Sequence, residues 1–184
     1  MPRFIPLFVL ILLVSMVLSS MAGPKEEMVP VQIKRVLLVN DSPAVLLVDQ
    51  EEKSFLLVFI DFFMANSIRM GMQAPQLERP MTHDLMGIFI RQLGASIQRI
   101  EIYELKNNTY YALINLEVNG KVQQIDARPS DALALAVRNQ TPIFARKNLL
   151  QNFDKRPKEQ LENQTPTPED PIDQVRPKKK KART

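Results

Sequence analysis

Tight turns between short apolar runs constrain the fold of this chain more than any other sequence feature. The runs at residues 31–39 and 44–48 are rich in Val, Ile and Leu, and the segment 40–43 between them reads Asn-Asp-Ser-Pro. This composition is typical of a turn between two strands. A third run at 55–60 follows the polar segment 49–53. Strands joined this closely pair antiparallel, so the first half predicts an antiparallel meander.

A second group of strands is predicted around the hairpin signal Asn119-Gly120. This dipeptide favours a two-residue turn, and it lies between apolar-rich segments at 110–118 and 121–127. A further strand at 97–105 precedes the turn residues Asn107 and Asn108. The second half therefore predicts three antiparallel strands.

Helical periodicity occurs in three segments, at residues 62–72, 83–93 and 131–138. Thr82 and Ser130 are the expected N-caps of the second and third helices, and Gly94 is placed to end the second in a left-handed turn. The predicted buried stripe of the second helix consists of Leu85, Ile88, Phe89 and Leu93. With a short strand at 142–145 and a helical turn at 147–153, these elements predict one α+β domain over residues 31–153.

The first 22 residues are typical of a targeting segment. Arg3 precedes an apolar run at 4–18, and small residues follow, among them Ser20 and Ala22. This order matches a secretory signal peptide. The alternative is an uncleaved membrane anchor, since segment 4–22 approaches the roughly 20 residues that span a bilayer. Both interpretations place the domain outside the cytoplasm, exported or tethered to the membrane, after a linker at 23–30.

The positive charge lies in the C-terminal tail. Residues 154–184 contain 9 Lys and Arg against 6 Asp and Glu, whereas residues 23–153 contain 14 of each. Proline is frequent in the tail, which predicts a disordered, basic end. The tail could contact an anionic polymer or a membrane surface, or it could simply increase solubility.

Two predicted helix entrances share a pattern of charged and hydroxyl residues. They read Arg-Pro-Met-Thr-His-Asp at 79–84 and Asp-Ala-Arg-Pro-Ser-Asp at 126–131. Such residues can cap helices and complement the helix dipole without any catalytic role. They can also bind a divalent cation such as Mg²⁺ and a phosphate group. The expected cation ligands are Asp84, Asp126 and Asp131, and the expected phosphate contacts are Arg79 and Arg128.

The same two segments resemble the signature segments of the bifunctional nuclease domain family. Residues 79–85 are similar to an Arg-Pro-Leu-Thr-His-Asp-Leu segment of that family, and residues 126–136 resemble its second signature. The resemblance covers roughly residues 31–145, including the closing Pro-Ile-Phe at 142–144. It implies an α+β domain that self-associates and a nuclease activity on DNA and RNA.

Catalytic roles are assigned to the two entrances on chemical grounds. His83 is the candidate general acid or base, with Asp84, Asp126 and Asp131 as metal ligands or water-orienting groups. The candidate substrate-binding residues are Arg79, Arg128 and Ser130. The chain departs from the family pattern at residues 61 and 64, where Asp61 and Met64 stand in place of a glycine and a glutamate.

A second functional class fits the same sequence. A noncatalytic binding or assembly module of the cell envelope would keep the fold and lack the activity, and Met64 and the neutral domain favour it. A small-molecule or nucleotide-binding domain ranks last, because it would need a phosphate-binding glycine loop and the 5 glycines form none.

Overall fold

The computed structural model describes residues 27–75 and 77–153. The predicted targeting segment and the predicted basic tail lie outside these residues. The described chain forms eight strands and three α-helices in a single α+β domain. In chain order they are β1 (Met28–Val39), β2 (Ser42–Asp49), β3 (Ser54–Phe59), α1 (Phe62–Gln73), α2 (Thr82–Gln92), β4 (Ala95–Lys106), β5 (Thr109–Val118), β6 (Lys121–Ala127), α3 (Pro129–Asn139), β7 (Ile143–Arg146) and β8 (Gln151–Asn152).

All described strands belong to one sheet with the order β6-β5-β4-β7-β1-β2-β3-β8. The two predicted meanders, β1-β2-β3 and β4-β5-β6, are confirmed as antiparallel. The short strand β7 lies between them, antiparallel to β1 and parallel to β4. Four residues near the end of the described chain therefore join its two halves.

The ends of the domain differ from the sequence prediction. β1 begins at Met28, inside the predicted linker, because residues 28–31 pair with β7. The predicted helical turn at 147–153 is a 3₁₀ turn at Lys147–Leu149 followed by β8. β8 pairs with the start of β3.

The main core lies between the sheet and the three helices. Alternate strand residues, such as Leu47 on β2 and Ile100 on β4, pack with Ile68 of α1 and Leu133 of α3, and each is essentially inaccessible to solvent. The remaining strand residues of the first meander form a second buried cluster that includes Phe55. β2 and β3 are thus buried on both faces, which explains their continuous apolar sequences.

The helix starts correct two predictions. The N-cap of α2 is Met81 and not Thr82, and the Asp84 carboxylate accepts a hydrogen bond from the Met81 backbone N–H at 2.9 Å. α3 begins at Pro129, which is well suited to a first helical position because it lacks an N–H. Arg128 is therefore the N-cap, and Ser130 lies inside the helix. The predicted left-handed Gly94 is confirmed, with φ of 70°.

The predicted buried stripe of α2 is wrong. Leu85, Phe89 and Leu93 are exposed by 39%, 57% and 78% of their surfaces. The helix is instead buried along His83 and Gly87, because the close approach of Asn139 to Gly87 fixes which side meets α3. An apolar face of α2 is therefore left uncovered by the rest of the described residues. Among the described residues, none of the helices combines the length and apolar character that crossing a bilayer requires.

Candidate active site at the helix N-termini

The packing of the three helices brings His83 to the centre of a hydrogen-bonded chain. Its Nδ1 lies 3.1 Å from the Ser67 hydroxyl on α1, and its Nε2 lies 3.4 Å from Asp131 Oδ1 on α3. The imidazole is buried, with only 11% of the side chain exposed. The two predicted helix entrances therefore do meet, through His83 and Asp131.

Asp131 also binds Arg128, the residue that precedes α3. Arg128 Nε donates to Asp131 Oδ2 at 2.7 Å, and a second guanidinium nitrogen donates to Oδ1 at 3.3 Å. The hydrogen bond and the charge of Asp131 raise the pKa of Arg128 above its usual value, and the charge of Asp61 adds to this effect. Because 69% of the Arg128 side chain is exposed, it remains accessible to an anion.

Asp84 has a different partner. Its Oδ1 accepts a hydrogen bond from Arg138 Nε at 2.5 Å, near the C-terminal end of α3. The Arg138 side chain is only 7% exposed. With the bond from Met81, both carboxylate oxygens of Asp84 are engaged by the protein. The geometry gives Asp84 a structural role that connects α2 to α3.

Asp126 lies on the opposite side of the sheet from His83. It pairs with Leu113 on β5, whereas the neighbouring pair Ile114 and Ile125 shares the helix-covered side. Successive strand residues face opposite sides, so Asp126 points away from the helices. Its charge contributes to raising the pKa of Tyr103, although burial is the larger cause.

The three carboxylates proposed as metal ligands consequently do not come together. In residues 27–75 and 77–153, no group of three His, Cys, Asp or Glu side chains is close enough to hold a metal ion. Asp84 is occupied by Arg138, Asp126 faces the other side of the sheet, and Asp131 binds Arg128 and His83. These residues do not fit the predicted cation site.

A pocket of about 510 Å³ opens beside Arg128. Its walls include Asp61, Ser130 and Tyr110, with apolar residues of β3 below them. Ser130 is more than nine-tenths buried, and its hydroxyl makes no hydrogen bond to the described residues. Burial raises the pKa of Tyr110, so the phenol stays protonated at neutral pH. Arg79 lies elsewhere, in a separate pocket with Asp84 and Arg138.

Two residues of this region, Ser67 and Arg138, were missed from the sequence. A signal for Ser67 exists, because it lies between Met64 and Ile68 on the buried face of α1 and is polar. The partnership of Arg138 with Asp84 had no comparable signal, since the two residues are 54 positions apart and meet only through helix packing.

The two departures from the family pattern are structurally distinct. Asp61 is the N-cap of α1, where its carboxylate accepts a hydrogen bond from the Met64 backbone N–H at 2.8 Å. Met64 is buried in the main core. A carboxylate in place of the Met64 side chain would be partly desolvated, and the methionine fills the same space without that cost.

Comparison with known proteins identifies the family of the domain. The family model described as the bifunctional nuclease domain matches residues 45–157, more than half of the chain. The chain belongs to the bifunctional nuclease domain family. His83 and Asp131, one residue from each of the two helix entrances, are in contact where α2 meets α3.

One relative is uncharacterised, and another is named as a nuclease. An uncharacterised protein of Mycobacterium tuberculosis, found in two strains, is 34% identical over 116 residues, which cover 63% of this chain and 69% of the relative. Bifunctional nuclease 1 of Arabidopsis thaliana is 27% identical over 130 residues, which cover 68% of this chain and 40% of the plant protein. This chain therefore aligns with less than half of the named nuclease.

Proposed function

We propose that this protein hydrolyses phosphodiester bonds of DNA or RNA at the meeting point of α2 and α3. The observation that carries the proposal is the hydrogen-bonded chain from Ser67 through His83 and Asp131 to Arg128. It combines a group that can transfer a proton with a cation that can bind a phosphate. The domain family and the name of the plant relative support the same activity.

Arg128 is the proposed phosphate contact. Its exposed guanidinium lies at the rim of the pocket that Ser130 also lines. The N-terminus of α3 adds a partial positive charge at this point. A phosphate placed here would receive charge-assisted hydrogen bonds from Arg128 and a hydrogen bond from the Ser130 hydroxyl, while the adjoining nucleoside would occupy the pocket.

His83 is the proposed general acid or base. The 3.4 Å contact between its Nε2 and Asp131 is at the long end of hydrogen bonding, whereas the Nδ1 contact with Ser67 is shorter. Nε2 is therefore the nitrogen that can exchange its partner for a water molecule. In the step that we propose, His83 carries its hydrogen on Nδ1, which donates to Ser67, and its Nε2 accepts a proton from the attacking water. The water oxygen bonds to phosphorus as the bond to the leaving oxygen breaks, and the proton then passes from His83 to the leaving oxygen.

Cleavage by the full chain and by Asp131→Asn tests the proposal. Labelled single- and double-stranded DNA and RNA are incubated with each protein, in parallel with Mg²⁺ and with EDTA. Because Asp131 contacts both His83 and Arg128, we expect the substitution to remove most of the contribution of the positioned acid or base and to lower the cleavage rate by about 100-fold. Asp126→Asn is the matched control, because it alters the same sequence motif on the other side of the sheet.

The noncatalytic module is the second candidate, and the burial of Met64 favours it. It predicts no cleavage by the unaltered protein, or a trace that Asp131→Asn leaves unchanged. Equal loss in Asp126→Asn and Asp131→Asn would point to a nonspecific effect and would contradict the proposed site.

We further propose that the domain is exported and that it self-associates. The sequence of residues 1–22 supports export, and a reporter fused after residue 25 that is active only in the cytoplasm would contradict it.

The exposed apolar face of α2, formed by Leu85, Met86, Phe89 and Leu93, supports self-association. Phe89→Glu should then shift the chain to a smaller species in sedimentation. The basic tail is proposed to contact an anionic polymer or membrane surface.

A further inference from the structure

A polar basin lies on the side of the sheet that the helices leave uncovered. It has a volume of about 840 Å³ and is formed by residues of β4, β5, β6 and β7. Asn115 on β5 lies between its direct neighbours Arg99 on β4 and Gln124 on β6. Since Ala112 and Ile114 of the same strand belong to the main core, Asn115 points away from His83. This basin is therefore separate from the candidate active site.

Two side-chain amides in the basin are hydrogen-bonded to each other, and each has a further polar atom without a partner among the described residues. Gln124 Nε2 donates to Asn115 Oδ1 at 3.1 Å. Asn115 is only 3% exposed, and its buried Nδ2 has no hydrogen-bond partner among residues 27–75 and 77–153. The Gln124 carbonyl oxygen accepts no hydrogen bond from the described residues. The pair thus carries one unsatisfied donor, on Asn115, and one unsatisfied acceptor, on Gln124, and leaving the buried donor unsatisfied is unfavourable.

The charges around the basin cancel. Among the described residues that line it, the charged ones are Arg99 and Glu117. Arg99 forms an ion pair with Glu101 at 2.5 Å, and Glu117 accepts a hydrogen bond from Gln98 at 2.5 Å. The lining therefore gives a phosphate no net attraction, and it suits an uncharged ligand that forms hydrogen bonds.

Flat groups border the same space. The Arg99 guanidinium carbon lies 5.9 Å from the centroid of the Phe144 ring, and both groups line the basin. Nucleic-acid bases stack on aromatic rings and on guanidinium planes, while Asn and Gln amides bind base edges that present a donor next to an acceptor. We propose that this basin binds a nucleobase, with the Asn115 and Gln124 amides on its edge. The proposal does not depend on hydrolysis at His83.

Titration of the full chain with adenosine, which carries a base and no phosphate, tests the proposal by calorimetry or by NMR shifts. We expect saturable binding that Gln124→Ala weakens by about fivefold, as the loss of one hydrogen bond predicts. Gln124 is exposed on an edge strand, so its replacement should leave the fold intact. Gln123→Ala is the matched control, because Gln123 is the adjacent residue of β6 and faces the other side of the sheet.

Several results would overturn the assignment. They are the absence of adenosine binding at millimolar concentration, equal weakening by the two substitutions, and binding of ribose 5-phosphate as strong as that of adenosine. The last result would identify a sugar or phosphate site. Loss of nuclease activity in Asp131→Asn with unchanged adenosine binding would leave the basin proposal intact, so the two proposals fail separately.

Discussion

Replacing Asp84 by alanine should destabilise the domain strongly. The substitution removes the carboxylate that receives Arg138 Nε and the Met81 backbone N–H. Arg138, with 7% of its side chain exposed, would keep only its 2.9 Å bond to the Ala134 carbonyl among the contacts described. Leaving one charge of a buried pair without its partner costs about 3–5 kcal/mol. Since 29% of the Asp84 side chain is exposed, water can reach part of the site. We therefore expect Asp84→Ala to lower the free energy of unfolding by about 2–4 kcal/mol.

Urea denaturation monitored by circular dichroism measures this loss. With a slope of about 2 kcal/mol per molar urea, typical of a small domain, the midpoint should fall by roughly 1–2 M. Arg128→Ala is the control, because it removes an exposed ion pair with Asp131 that should contribute less than about 1 kcal/mol. A loss under 1 kcal/mol for Asp84→Ala, or one no larger than that for Arg128→Ala, would refute the structural role given to Asp84.

Two further predictions concern β2 and α1. Burial acts to raise the pKa of Asp49, but hydrogen bonds from the Ser54 hydroxyl and from the Lys53 and Ser54 backbone together outweigh it and lower this pKa. The ionised Asp49 therefore stabilises the fold above the unfolded pKa of about 3.9, and this stabilisation is lost as the pH falls through the lower folded pKa. The difference between the urea midpoints of the unaltered chain and Asp49→Asn should consequently shrink below pH 4. Gly71→Ala should lower the free energy of unfolding by about 1–3 kcal/mol in the same assay, because the added Cβ would lie 2.4 Å from a Val137 side-chain atom. This loss is expected despite the helix propensity of alanine. Unchanged stability would show that α1 and α3 can separate at this point.

Local signals predicted the strands well. The turn at Asn119 and Gly120 has positive φ at both residues, 50° and 74°, as the hairpin signal requires. The position of β7 was not predictable in the same way, because its pairing with β1 and β4 depends on segments about 40 to 115 residues earlier in the chain.

The candidate site was predicted in part, and the limits have physical causes. The prediction that the two helix entrances belong together agrees with the contact between His83 and Asp131. Asp126 was grouped with them because it is close in sequence, but strand alternation directs it to the opposite side of the sheet. The partner of Asp84 depends on how α2 packs along α3, and helical periodicity does not contain that information.

The place of β7 in the sheet has a consequence for how the protein is made. Each meander can pair its own strands as soon as it is synthesised, but residues 143–146 are needed before the two meanders form one sheet. A chain that stops before residue 143 would therefore present two half-sheets with unpaired inner edges, at β1 and at β4, and such edges promote association with other chains. Nascent or truncated forms of this protein should depend on chaperones more than the completed chain does.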